Sequence, residues 1–361
     1  MQAILSVTIP FFALVLLGYL AAQWRLLPES AIPGLNAYVL YFALPCMLFR
    51  FGASMPFAQL IDPALIGIYA LCALAMVALT VSVTLRRRPG GHGVNLTDAA
   101  FGALVAAFPN SGFMGVPLLA ALFGAQAAGP VIGTLLVDLF LTSTLCLAIA
   151  QAHRHRGQAR QRTRTGVGGI EGIDRDAQSL AAASDGRAGD PSSSVLFTVA
   201  RALRGALGNP QPWAIGLGAV AAATSLQLPA PVAQVVKMLA DSASPVALFT
   251  IGAVLWRARQ HAHTRTATRD YLPVALLKLF AHPLLVGATG LAARAAGIAV
   301  PNFGLMMLVL AAALPSASNV SLLAERYGAD NGRVARIIMA STVLAFGSFT
   351  LIAWGFEQMP R

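Results

Sequence analysis

The sequence predicts an all-α integral membrane protein: ten transmembrane helices arranged as two inverted five-helix repeats, with crossover helices 4 and 9 broken. Three observations carry this expectation. Of 361 residues, 57% are hydrophobic and only 11% charged, and the mean hydropathy is +0.69; a soluble domain carries roughly 25% charge. Ten mainly apolar stretches approach the roughly 20 residues that a bilayer crossing needs. The fourth and ninth stretches are interrupted at corresponding places by Pro, Gly, Asn and Ser.

The first stretch, 3–23, lacks a basic leader and a small-residue cleavage site, so it reads as a span rather than a signal peptide. Spans 2 and 3 follow at 34–54 and 64–85. Span 4, 99–123, contains Pro109-Asn110-Ser111-Gly112-Phe113-Met114-Gly115-Val116-Pro117, and span 5 covers 129–151. The hydrophilic segment 152–208 reads as a basic cytoplasmic linker over 152–194. A short interfacial helix is expected over 195–207, with Arg201 and Arg204 toward headgroups. Spans 6 to 10 are expected at 209–227, 231–256, 271–293, 302–324 and 334–356. Span 9 contains Leu314-Pro315-Ser316-Ala317-Ser318-Asn319-Val320. Residues 1–151 thus form one unit and 209–361 a second.

The units repeat. Pro45, Leu48, Phe49, Gly52 and Ala53 recur as Pro245, Leu248, Phe249, Gly252 and Ala253. Leu118-Leu119-Ala120 and Gly124 recur as Leu322-Leu323-Ala324 and Gly328. Five is an odd number of crossings, so the second unit enters the membrane from the opposite side, and spans 4 and 9 can cross near the bilayer centre.

The net charge of +11 reflects topology, and a nucleic-acid partner is not expected. The basic residues concentrate in alternate loops, from Arg25 through Arg86, Arg87 and Arg88 to Arg257, Arg259, Arg326, Arg333 and Arg336. Only Arg294 and Arg361 lie in the opposite set. The positive-inside rule makes the basic loops cytoplasmic. It predicts a multi-pass protein of the plasma membrane (the bacterial inner membrane) with both termini external. Cys46, Cys72 and Cys146 fall within spans, without metal or disulfide spacing. The sequon Asn95-Leu96-Thr97 lies on the expected cytoplasmic side and reads as chance.

A broken helix persists in hydrocarbon only where protein or a water-filled cavity satisfies its freed backbone. Its half-helix N-termini suit carboxylates, and its C-termini suit cations. The candidate substrate-binding residues are therefore Pro109, Asn110, Ser111, Gly112, Pro315, Ser316 and Asn319, with Ser318 beside them. Lys278, inside span 8, offers a cation to an anion or a partner to Asp138 in span 5. Asp138 and His282 are the candidates for ion or proton coupling. Lys237 and Asp241, four apart, are expected to pair, and Arg50 to snorkel.

The two broken motifs, with Leu323-Ala324 and Tyr327-Gly328 after the second, resemble the span-4 and span-9 signatures of the auxin efflux carrier family. The resemblance covers all ten spans in order. It implies a scaffold of spans 1, 2, 6 and 7 and a moving transport domain of spans 3–5 and 8–10. It also maps Asn110 and the breaks at Pro109 and Pro315 onto the crossover that holds the substrate carboxylate in plant members. Asn319 stands farther from Pro315 than Asn110 does from Pro109, which weakens its equivalence. The family includes bacterial permeases for malate, malonate and similar anions. The short, Arg-rich middle loop resembles those rather than the plant carriers, which argues against auxin as substrate.

No GxSxG, HExxH, P-loop or CxxC motif occurs, so no enzyme and no nucleotide-driven pump is expected. The expected function is secondary transport of a small organic anion by alternating access, elevator-like in form. No cofactor or metal is expected, and the coupling ion is H⁺ or Na⁺. Lipid surrounds the protein, and the candidate protein partner is a second copy, in a homodimer through the scaffold helices. The alternatives are a sodium–bile-acid-like symporter, a channel, or a membrane sensor that keeps the transporter fold.

Overall fold

A computed structural model describes residues 1–56, 60–86, 94–152, 204, 207–260 and 266–358. Nearly all of the expected linker and interfacial helix, Arg201 included, lies outside these residues. In chain order the helices are α1 (Gln2–Gln23), α2 (Glu29–Ala53), α3 (Pro63–Arg86), α4 (Leu96–Ala107), α5 (Ser111–Phe123), α6 (Ala125–Ala152), α7 (Pro210–Ala223), α8 (Ala230–Gln260), α9 (Thr268–Ala295), α10 (Asn302–Ala312), α11 (Asn319–Arg326) and α12 (Asn331–Glu357). There is no strand among the described residues, only one isolated antiparallel bridge between Pro109 and Ser316.

Seven of these helices are long and apolar enough to cross a membrane, against ten expected spans. The difference has local causes. Expected spans 4 and 9 each fold as two shorter helices around a proline break. Expected span 6 is the 14-residue α7. Pro210 opens that helix, and the Asn209 side chain accepts the Gln211 N–H. Its far end stops at Thr224, before Ser225 takes a left-handed φ of 52°. Large apolar side chains such as Leu16, Leu17, Leu71, Trp213, Leu217 and Leu284 stand exposed on the helices, as lipid-facing side chains do.

Two helix pairs pack through glycines. α1 lies on α8, where a Cβ at Gly18 would meet the backbone of Phe249 and one at Gly252 the backbone of Val15. α2 lies on α7, where a Cβ at Gly218 would meet the backbone of Phe49 and one at Gly52 that of Ile215. Every member of the first contact set has its counterpart in the second, 200 positions away (18 and 218, 52 and 252, 49 and 249, 15 and 215). Small residues let backbones approach closely, which is how helices associate in lipid.

At one end of the molecule the amino group of Met1 sits 2.9 Å from Glu357. At the other, Arg333 joins four helices. It donates to the Asp270 carbonyl of α9 (3.0 Å), the Asp98 carbonyl of α4 (3.0 Å) and the Thr84 hydroxyl of α3 (3.5 Å), while itself belonging to α12. Asp98 also accepts the Asp330 N–H at 2.7 Å. The broken helices run through the middle: Ala99 through Ala107 and Met307 through Ala312 are all buried.

Candidate substrate site

The first break starts with Phe108. A residue that precedes proline is pushed out of the helical region, and Phe108 takes φ −104°, ψ 92°. The chain then runs extended to Asn110 and re-enters helix through a π-turn, Ser111–Gly115, that opens α5. In the second break α10 stops at Ala312, and α11 begins at Asn319. The two breaks satisfy each other. Asn110 N–H donates to the Pro315 carbonyl (2.9 Å), and Ala317 N–H donates to the Phe108 carbonyl (3.0 Å). This antiparallel pairing answers the requirement that irregular backbone at membrane depth be met by protein.

Pro109, Asn110, Ser111, Gly112, Pro315, Ser316 and Ser318 are therefore brought together, all of them buried. Asn319 begins α11 beside them. Asn110 and Ala317 are the two residues that donate their N–H groups across the bridge. Asn319 lies two positions past Asn110's backbone counterpart. Its Oδ1 and the Ser316 hydroxyl are buried without a hydrogen-bond partner among the described residues. The first-turn N–H groups of two helices, with the Asn110 amide, give this place donors and partial positive charge.

Sequence reasoning missed two supports behind the crossover. The Thr134 hydroxyl lies 3.2 Å from that of Ser111 and donates to Val131. The Ser341 hydroxyl accepts the Ser316 N–H at 3.2 Å and donates to Ile338. Thr134 lies in α6 and Ser341 in α12, both outside the broken motifs, and neither carries a sequence signal that ties it to the crossover. The more tightly packed glycine is Gly115 rather than Gly112. A Cβ at Gly115 would come 2.7 Å from Leu314 Cδ1, whereas one at Gly112 meets only ordinary contacts at 3.6 Å.

The titratable candidates form a second buried group. Asp138 opens a π-turn in α6, and Lys278 lies in another in α9; such turns recur at functional sites. Asp138 accepts from the Tyr69 hydroxyl at 3.0 Å and from Thr142 at 3.1 Å. Lys278 Nζ donates to the Ala312 carbonyl and lies 3.3 Å from His282 Nδ1. The ammonium thus sits on the carbonyl end of α10, three residues before Pro315. His282 stacks 5.7 Å from the Tyr69 ring, and its Nε2 has no partner among the described residues. Among those residues Asp138 and Lys278 form no direct ion pair, so the expected alternative of pairing is not the observed contact. Lys237 pairs with Asp241 as expected, at 2.8 Å. Arg50 does not simply snorkel: it binds the same carboxylate at 2.8 Å. Among the described residues no cluster could hold a metal ion.

Seven long apolar helices, with two broken pairs of shorter ones tied to each other through backbone, define a multi-pass membrane protein, and its family and relatives make it a transporter rather than an enzyme. The chain belongs to the membrane transport protein family, the family of the auxin efflux carriers, which matches residues 3–353. It is 26% identical over 352 residues to a Rhizobium meliloti (strain 1021) protein named "Putative malonate transporter", covering 97% of this chain and 95% of that one. With auxin efflux carrier component 8 of Arabidopsis thaliana it shares 28% identity over 129 residues, 35% of this chain and 34% of that one. With component 7 of the same plant it shares 25% over 149 residues, 41% of this chain and 23% of that one.

Proposed function

We propose that the protein is a secondary transporter of a small organic anion of the malonate class, working by alternating access. The observation that carries this reading is the backbone bridge between the two breaks. It gathers the starts of α5 and α11 and the Asn110 amide around one point, where a carboxylate would meet N–H donors without an opposing negative charge. The malonate name of a relative aligned along nearly the whole chain supports the substrate class.

The mechanism we infer is elevator-like. α1, α2, α7 and α8 form the scaffold, and their glycine seams support a pseudo-two-fold relation between inverted five-span repeats. α3–α6 and α9–α12 form the moving body, a reading supported by Arg333 bonding across α3, α4, α9 and α12. Asp138 and His282 are the proposed coupling groups. H⁺ is favoured over Na⁺, because the Lys278 ammonium already caps the carbonyl end of α10, where a sodium ion would otherwise find donors. The basic end that carries Arg333 and Arg336 faces the cytoplasm, and both termini are external. A homodimer through the scaffold would bury exposed side chains such as Tyr41, Phe42 and Trp213.

Uptake of radiolabelled malonate into proteoliposomes tests the reading, with malate and acetate as competitors. Saturable, competed uptake is expected. Binding without flux would instead identify a sensor, and currents far above carrier turnover a channel.

A further inference from the structure

Charge that the crossover does not use lies at the end of the molecule where the termini meet. Arg50 of α2 and Lys237 of α8 each contact Asp241, one on each carboxylate oxygen, both at 2.8 Å. Two cations share one carboxylate, so the triad keeps one positive charge in excess. The three side chains are about half exposed, at 44%, 56% and 51% respectively. An exposed ion pair contributes at most about 1 kcal/mol to stability, so the triad is free to exchange partners at little cost to the fold.

Arg50 and Asp241 also line a cavity of about 640 Å³, together with Met47, Pro117, Leu228 and Ala240. The cavity shares one helix with the crossover. Pro117 belongs to the half-helix α5 that starts at Ser111. On α2, Leu44 faces Gly112, where an added Cβ would lie 3.6 Å from it. Met47 and the half-exposed Arg50 both line the cavity. From Leu44 to Arg50 is six residues, about 9 Å along the helix. Arg50 is half exposed whereas Asn110 and Ser316 are buried, so the two places are distinct.

We propose that Arg50 and Lys237 form a separate recruiting station for the anion at the mouth of this cavity, with Asp241 as its built-in competitor. The idea rests on the functional reading above. A carboxylate arriving at the mouth displaces Asp241 from one cation and takes up the excess charge. It then moves inward to the crossover. Fixed cations at a cleft raise the local anion concentration and the association rate, and salt screens the effect.

The test is malonate uptake from the triad side at low and high ionic strength. Arg50→Gln is expected to raise KM about 10-fold at low ionic strength, the low end of focusing effects. The maximal rate stays unchanged, and the salt dependence becomes shallower. Asp241→Asn removes the competitor and is expected to lower KM. Opposite signs are the signature, because a merely structural ion pair responds to loss of either partner in the same direction. Shifts of the same sign, or unaltered KM in both variants, overturn the station while leaving wild-type transport in place. Absence of carboxylate flux in the wild type overturns the functional reading and the station with it. If Arg50→Gln does not fold, Lys237→Gln takes its place beside Asp241→Asn and the comparison of signs stands.

Discussion

Asn110 sits where the backbone has already met its own needs. Its N–H is bound by Pro315, and its carbonyl accepts from Met114 and Gly115 at 3.1 and 2.9 Å. The side-chain amide is therefore not required to repair the break, which leaves it for a ligand. Losing a hydrogen bond to a charged group costs about 1.5–3 kcal/mol, or about 10- to 150-fold in affinity. Asn110→Ala is expected to weaken malonate uptake by that factor with an unchanged melting temperature; uptake kinetics equal to wild type would remove it from the site. Lys278 poses a different question, because it holds the Ala312 carbonyl and neighbours His282 without touching Asp138. If its charge serves the anion, Lys278→Gln lowers uptake at least 10-fold, the affinity equivalent of about 1.4 kcal/mol, and adding Asp138→Asn does not restore it. Recovery in the double variant would mean that Lys278 works only to neutralise Asp138.

Among the elements, the glycine seams of α1 with α8 and of α2 with α7 are the most exacting contacts. A Cβ at Gly252 would run into the Val15 carbonyl, and backbone cannot rotate aside as a side chain can. Gly252→Ala therefore forces α1 and α8 apart. Overpacking of this kind costs about 1–3 kcal/mol, which should appear as a clear drop in melting temperature in detergent. Gly216→Ala on α7 is the control: nothing lies within 4 Å of an added Cβ there, and better helix propensity should leave stability equal or slightly higher. The sequence carried part of this architecture openly. Pro109 and Pro315 marked the breaks because proline leaves only a few backbone solutions, and Gly52 with Gly252 stood out in the repeated Pro-Leu-Phe-Gly-Ala pattern. Gly18 with Gly218 did not, because the identities around them at the same spacing (Leu17 and Leu217, Ala21 and Ala221, Ala22 and Ala222) are residues that any apolar helix carries. Thr134 and Ser341 were hidden for another reason. A hydroxyl in an apolar helix commonly bonds its own preceding turn, as both do, so their second bonds to the crossover show only once α6 and α12 are placed. The Arg50–Asp241 contact joins two helices 191 positions apart, whereas the i,i+4 rule exposed only the Lys237 half of the triad.

For the whole molecule the open quantity is sidedness, and it is set by charge rather than by packing. The protein fold is compatible with either orientation in a bilayer, because its contacts do not know which face is cytoplasmic. Loop lysines and arginines decide it. Arg333 and Arg336 bond to carbonyls of Asp98, Asp270 and Thr266, so the basic segments after α8 and α11 gather at one end with the start of α4. The termini meet at the opposite end, where Met1 reaches Glu357. Two exposed positions report on the two ends. Ser225 follows α7 on the termini end, and Arg269 opens α9 on the basic end. In a background with Cys46, Cys72 and Cys146 replaced, Ser225→Cys is expected to react with a membrane-impermeant maleimide in intact cells. Arg269→Cys should react only after permeabilisation. The reverse pattern would invert the protein in the membrane. It would also move the Arg50–Asp241 mouth to the cytoplasmic face, turning a station for entering anions into one for anions about to leave the cell.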